Sequence, residues 1–311
     1  MTLHRVAIVG YGKIAQDQHV PAIAASPHFE LAAVVSRHAK SVPGVDLVFA
    51  DDAQMLARSD IGCVAICSTP DQRYAAARRA IAAGKAVLLE KPPAATLAEA
   101  HALKRLAEDK GVTLFATWHA RANPAVVEAA RRLKDKRVTR LAVAWKEDVR
   151  HWHPGQEWVW TPGGFGVFDP GINALSILTA ILPQPIFVRQ SRLSTPKNRA
   201  APIAADITFG SAVDGADLQA AFDWRQTGTQ TWAITVETDD GLRLDLTEGG
   251  AKLAIDGAPV ETGPSQEYPD LYARFAELVD ARASDVDLRP LELVADAFLR
   301  AEQTPVEVFE D

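Results

Sequence analysis

Cysteine is almost absent from this sequence of 311 residues: there are two, Cys63 and Cys67, both in one apolar run. That argues against a disulfide framework or a cysteine-rich metal site and reads the pair as small buried core residues. No stretch has the length and apolarity of a membrane span, so no membrane partner is expected. Positive charge is not in excess: 33 Lys and Arg stand against 40 Asp and Glu, a net charge of −7. This balance argues against nucleic acid as the main partner, yet leaves room for a local basic site on an anionic cofactor. Residues 1–5 show no basic segment leading into a long apolar core and cleavage site, so a cytoplasmic protein is expected. Repeats and low-complexity tracts are missing too, and a charged fraction of 23% is ordinary for a globular chain.

What the chain does have is length and apolar content, 48% hydrophobic, enough for two cores. Its first 120 residues alternate strand-like runs (6–9, 31–35, 63–67, 86–89, 113–116) with helical patterns (14–25, 72–83, 97–109). That alternation predicts βαβ units and a parallel sheet whose continuously apolar strands are buried on both faces. Further on, helices are expected at 124–134 and 170–182, strands at 139–145, 186–193, 203–209, 218–224, 231–238 and 242–246, and two last helices at 269–282 and 290–302. Asp240-Gly241 and Asp256-Gly257 read as turns. The fold class is therefore α/β: a doubly wound parallel Rossmann sheet over 1–122, then an α+β domain with a mostly antiparallel sheet over 123–311. Its C-terminal helices are free to pack back on the first domain.

Gly10-Tyr11-Gly12-Lys13-Ile14-Ala15 fits G-x-G-x-x-A directly after a strand and at the start of a helical pattern. The glycines would make the tight turn and let the backbone approach a pyrophosphate, which the helix N-terminus then faces. The end of the second strand reads Ser36-Arg37-His38, where an NAD site would carry Asp or Glu. An arginine there pairs with a 2′-phosphate that a carboxylate would repel, so NADP is the expected cofactor, with NAD accepted.

Two further motifs carry a resemblance. Glu90-Lys91-Pro92 follows the 86–89 strand, and Gly163-Gly164 followed by Asp169-x-Gly171-x-Asn173 opens a helix in the second half. With the glycine motif and Thr69-Pro70 after the 63–67 strand, this order of motifs resembles the glucose–fructose oxidoreductase and inositol dehydrogenase family over essentially the whole chain. A closer likeness lies in Gly12-Lys13-Ile14-Ala15-x-Asp17-Gln18-His19, in Trp145-Lys146-Glu147-Asp148-Val149-Arg150, in Trp152-His153-Pro154-Gly155-Gln156 and in the run from Gly166 to Ser176. These are similar to the family's sugar 1-dehydrogenases, which oxidise the anomeric hydroxyl of L-arabinose or D-galactose to a lactone. The resemblance implies an NAD(P)-dependent aldose 1-dehydrogenase with a sugar substrate, and a homo-oligomer, a dimer, through the second domain's open sheet. It implies cofactor contacts from Gly10, Gly12, Lys13, Ile14, Ser36, Arg37, His38, Thr69, Pro70, Glu90 and Lys91. One position departs from the wider family, which usually carries His where Asn173 stands. The family's histidine is not carried over, and the closer relatives imply Asp169 as the base. Trp232 enters as a pocket residue on the same resemblance.

Oxidising a hemiacetal needs a base, and a donor or cation near the anomeric oxygen. Lys91 ends a parallel strand, where such sheets present their crevice, and Pro92 restricts its backbone. Asp169 and Asn173 are four apart and share one helix face. The plainer reading of Asp169 is a helix N-cap with Pro170 behind it, a role compatible with catalysis. Four of the seven Trp fall within 145–160, among Glu147, His151, Trp152, His153 and Gln156, and Trp118-His119 is alike in kind. Flat aromatic faces and planar polar groups suit a sugar, so His119, Glu147, Trp152 and His153 are the expected substrate contacts, although a core cluster is the commoner fate of any one Trp. His119, His151 and His153 match no zinc spacing, and no metal is expected. His19 reads as structural as readily as functional. Two other functions stay open on the residues: a nicotinamide-binding sensor without turnover, and an imine or enone reductase on the same fold.

Overall fold

Residues 3–310 are described by the structure, a computed structural model, and they form two units. The first runs to His119 and takes in Gln266–Leu288; the second is Ala120–Ser265 with the chain from Arg289 onward.

The first unit holds six parallel strands: β1 (His4–Val9), β2 (Phe29–Val35), β3 (Leu47–Phe49), β4 (Cys63–Ile66), β5 (Ala86–Leu89) and β6 (Leu114–Ala116). Their spatial order is β3-β2-β1-β4-β5-β6, the doubly wound order, with the reversal between β1 and β4. Successive side chains point to opposite faces, and both faces are covered. Val6, Ile8 and Val34 lie on one side with Ala22 and Ile23 of α1 (Val20–Ala25). Ala7, Val9, Val64 and Ile66 lie on the other with Met55 of α2 (Asp52–Leu56), Ala76, Ala77 and Ala80 of α3 (Pro70–Ala82) and Leu103 of α4 (Leu97–Lys110). α4 starts where it does because Thr96 and Glu99 close a capping box, and it stops at Gly111.

The boundary drawn in the sequence at 122/123 falls at 119/120, and 266–288 returns to the first unit. The helix at 267–281 accounts for the return. It places Tyr268, Leu271, Tyr272, Phe275, Ala276 and Leu278 on one buried face, and these join the β1–β2 side of the core, with Phe275 stacked on Phe29 at 5.4 Å. The chain then pairs Asp285 with the edge strand, Ala116 donating to Asp285 and Asp285 to Leu114.

In the second unit, α5 (Pro124–Leu133) leads to β7 (Val138–Lys146), α6 (Val149–Trp152) and α7 (Phe168–Ile181). Then come β8 (Ile186–Pro196), β9 (Ala204–Ser211), β10 (Asp217–Asp223), β11 (Thr231–Thr238), β12 (Arg243–Thr247), β13 (Lys252–Ile255) and β14 (Ala258–Val260). The helix just described is α8 (Glu267–Ala281); α9 (Arg289–Leu299) and β15 (Ala301–Val306) close the chain. The nine strands form one sheet in the order β14-β13-β12-β11-β7-β10-β9-β8-β15. Its neighbours are antiparallel except β7 with β10 and β8 with β15. Leu141, Val143 and Trp145 of β7 alternate inward, as a sheet with one covered face requires. Gly171 lets α7 approach that face: a Cβ there would stand 3.0 Å from the Phe222 ring of β10. The sequence reading lacks β3, α2, the β13–β14 hairpin and β15. It also runs its last helix to 302, whereas α9 ends at Leu299 and the chain becomes an edge strand on β8.

Candidate active site

In the first unit the strand order reverses between β1 and β4, where α/β sheets bind their ligands. Gly10 leaves β1 at φ +92°, and a Cβ on it would lie 2.6 Å from the Ser68 nitrogen beyond β4, so no other residue fits. Gly12 has nothing within 4 Å of where its Cβ would be, and Gly12, Lys13 and Ile14 are all exposed. An open, side-chain-free approach to the start of a helical segment is what a pyrophosphate needs, so these residues fit a dinucleotide. The segment is not a plain α-helix: Ala15–His19 is a π-helical turn that passes into α1. Past β2, the Ser36 hydroxyl accepts the N–H groups of His38 and Ala39 and leaves Arg37 and His38 exposed. The Arg37 guanidinium donates to Gln72 at 3.3 Å. Thr69 is the residue before α3, Pro70 its first helical residue, and the Thr69 hydroxyl donates to Asp71.

β5 ends in Glu90-Lys91-Pro92, and the Lys91–Pro92 bond is cis. Lys91 is half-buried and Glu90 is buried. The Glu90 carboxylate accepts from His19 Nε2 at 3.1 Å, the Tyr268 hydroxyl at 2.7 Å and the Lys91 backbone N–H at 2.6 Å. Burial opposes its charge, but the His19 hydrogen bond and the charges of His19, His119 and Arg73 outweigh burial and hold the carboxyl well below its usual range. His19 is likewise disfavoured as a cation by burial, yet Cys67, Tyr272 and Glu90 raise it well above the ordinary imidazole value. Arg73 reaches from α3 to the carbonyls of Ser68, Glu90 and Pro92 and so ties the loops after β4 and β5 together. His119 bonds Glu267 at 2.7 Å and stacks on Tyr268 at 5.5 Å.

In the second unit, Glu147 leaves the end of β7 and is buried. Its two carboxyl oxygens accept one indole N–H each, from Trp224 at 3.1 Å and Trp232 at 2.8 Å. Burial, aided by the charge of Asp169, pushes this carboxyl up despite the indole donors and nearby His153. His153 stands 3.3 Å from Asp169 through Nε2, and its other nitrogen is 3.4 Å from the Gln156 side-chain amide oxygen, which also accepts from the Trp158 indole. Trp152 meets Trp232 edge to face at 5.7 Å, and the His153 ring leans on Trp224 at 5.3 Å. The fold therefore gathers Glu147, Trp152, His153, Trp232 and Asp169 in one place, where aromatic faces surround two carboxyl groups and an imidazole. Asn173 lies half-buried one turn along α7 from Asp169.

One expectation is corrected. Asp169 is not the N-cap of its helix: α7 begins at Phe168 and is preceded by Val167, and no side chain caps it. The tight turn before it, in which Asp169 N–H bonds Gly166 at 2.9 Å, moves the helix start one residue earlier than the Asp-Pro pair suggests. Among the described residues, no group of three or more His, Cys, Asp or Glu side chains could hold a metal ion. Nor is any helix among them long and apolar enough to cross a membrane.

Arg73, Trp224, Tyr268 and Tyr272 are among the residues of these clusters that the sequence reading does not single out. Arg73 had a signal, since it shares a helix face with Ala76, Ala77 and Ala80, and a charge on a buried stripe needs a partner. The others carry no local sign, because their partners lie 77, 178 and 253 positions away.

A model of an oxidoreductase family with an NAD-binding Rossmann fold matches residues 4–117. Galactose 1-dehydrogenase of Pseudomonas fluorescens is 43% identical over 99% of both chains. The crystal structure of D-galactose-1-dehydrogenase from Rhizobium etli superposes with a TM-score of 0.94 at 52% identity, over 100% of this chain and 99% of that one. A 3-ketoreductase from Actinomadura kijaniata, in complex with TDP-benzene and NADP, shares the fold at 19% identity, with a TM-score of 0.86 over 98% and 100% of the two chains. A likeness of this extent, end to end and on the same two sheets, makes the chain a member of the GFO/IDH/MocA family of oxidoreductases.

Proposed function

We propose that the chain is a sugar 1-dehydrogenase that oxidises the anomeric hydroxyl of D-galactose or L-arabinose to the lactone with NADP, and also with NAD. The observation that carries this reading is the pairing of His153 with Asp169 at 3.3 Å beside buried Glu147, inside a wall of tryptophans. The full-length likeness to galactose 1-dehydrogenases supports it.

Nicotinamide, when bound, supplies the acceptor for the hydride that leaves the anomeric carbon. Gly10, Gly12, Lys13 and Ile14 would hold the pyrophosphate of the dinucleotide, Ser36, Arg37 and His38 its adenosine end, and Thr69, Pro70 and Glu90 would lie along it. Asp169 takes the proton from the anomeric hydroxyl. His153, with Nε2 3.3 Å from the carboxylate, is placed to orient it. The Lys91 ammonium offers a cation for the negative charge that grows on the anomeric oxygen, and the Asn173 amide is the donor next to Asp169 on α7. His119, Glu147 and His153 bind ring hydroxyls, and Trp152 and Trp232 lie against C–H faces. The protein acts in the cytoplasm as a homodimer, whose mass sedimentation would measure. Reading function from a site leaves the sensor and the imine reductase as weaker accounts, since neither needs a base paired in this way.

The experiment is the rate of NADPH formation with D-galactose, L-arabinose and D-glucose. D-Galactose and L-arabinose share their ring configuration and differ in the exocyclic hydroxymethyl, whereas D-glucose inverts one hydroxyl. A pocket that pairs a hydroxyl leaves buried groups unpaired with the wrong epimer, so D-glucose should be at least about a hundredfold poorer. Equal efficiency with D-glucose, or no reduction with any aldose, overturns the proposal.

A further inference from the structure

The Glu90 carboxylate is an expensive thing to keep inside a core, because a buried ion pair rarely stabilises more than a well-packed apolar replacement. It is nevertheless fully engaged. Its Oε1 takes His19 and Tyr268, and its Oε2 takes the backbone N–H of Lys91. The two side-chain donors come from different elements, the π-helical turn before α1 and the first turn of α8. His19 is itself held by the Tyr272 hydroxyl at 2.9 Å, one helical turn along α8 from Tyr268. Cys67, Arg73, His119 and Glu267 are the other titratable or charged groups facing the cluster. An apolar residue at 90 would fill the same volume but would leave the Lys91 N–H without this acceptor.

We propose that Tyr268 and His19 are positioning residues for the oxidation: by gripping the Glu90 carboxylate from two elements, they fix the Glu90–Lys91 backbone and, through it, the Lys91 ammonium. This rests on the role of Lys91 in the reaction proposed above. His19 held as a cation and Glu90 held as an anion keep the grip charge-assisted, which shortens and strengthens such bonds. Loss of one donor lets the carboxylate turn, and a misplacement of about 1 Å at a reacting group costs about a hundredfold in rate.

The test is a double-mutant cycle on the whole enzyme with NADP and D-galactose. Tyr268→Phe removes one hydroxyl and keeps the ring against His119. It should lower kcat about tenfold, leave both KM values within about twofold, and move the rise of kcat with pH to higher pH. In a Lys91→Met background, adding Tyr268→Phe should change kcat by less than about twofold, because its effect runs through Lys91. If Tyr268→Phe melts at the assay temperature, Tyr272→Phe replaces it. That change leaves every Glu90 donor in place and should cost kcat about two- to fourfold, again only while Lys91 is present. Unchanged kcat, or the same loss in both backgrounds, overturns the inference alone. Wild-type turnover in Lys91→Met overturns the role of Lys91, and the inference with it.

Discussion

Asp169 sits in the first turn of α7, one place inside the residue that opens the helix. There its charge faces the positive end of the helix dipole, and its carboxyl lies 3.3 Å from His153 Nε2. An Asp-Pro pair is a common helix start, so the sequence suggests a cap where the structure places a residue inside the first turn. Its partner is 16 positions away and has no fixed spacing to it. The consequence is testable. Asp169→Asn keeps size and polarity but loses proton affinity, so turnover should fall on the order of a hundred- to ten-thousandfold, with the melting temperature and NADP affinity nearly unchanged. Turnover near wild type would leave Asp169 a packing residue and make Lys91 the next candidate base. Arg37 is the opposite kind of residue: exposed, with its guanidinium 3.3 Å from the Gln72 side-chain oxygen. Arg37→Ala should weaken NADP binding roughly ten- to a hundredfold, the worth of a charge-assisted contact, and leave NAD almost as before. Titration of both cofactors by fluorescence decides it, and equal losses would remove Arg37 from the phosphate site.

Elements were legible where their pattern was local. The five long parallel-strand runs and the helices between them stand in the sequence as apolar runs and periodic stripes, and the glycine turn after β1 was readable for the same reason. β3 has three half-buried residues and no run to read, and β15 has a proline and exposed polar residues on an edge. The placement of α8 was the largest gap, since an amphipathic stripe says that a face is buried but not against what. That placement brings Tyr268 and Tyr272 to His19 and Glu90, and it has a consequence for stability. Glu90 is held below the ordinary glutamate value of 4.5, so its contribution is present above about pH 4.5 and is lost as pH falls through the lower folded value. His19 is held above the ordinary imidazole value of 6.5, so its contribution is complete below about pH 6.5 and is lost as pH rises through the higher folded value. Both act fully only between those limits. The melting-temperature advantage of the wild type over His19→Gln should therefore be greatest there and shrink toward alkaline pH. A constant difference from pH 5 to 10 would mean that His19 is neutral in the folded protein.

At the scale of the whole molecule, the chain makes two cores, and the proposed contacts divide between them: the dinucleotide with the parallel sheet, most of the sugar contacts with the nine-stranded one. That division gives each ligand a separate thermodynamic signature. A ligand that binds only the folded form stabilises it by about 2.7 kcal/mol at a hundred times its Kd. For a unit of some 140 residues this raises the melting temperature on the order of 5–10 °C. In scanning calorimetry, NADP alone should raise the transition that includes the first unit. Gly12→Ala should abolish that rise without lowering the starting transition, because its added Cβ meets no protein atom within 4 Å and can obstruct only what lies in the open turn. Gly10→Ala should instead lower the transition even without cofactor, because its Cβ would press on the Ser68 backbone at 2.6 Å and its φ is unfavourable to any side chain. Equal behaviour of the two variants would be fatal to this account, since it would mean that the space beside Gly12 is not where the cofactor goes.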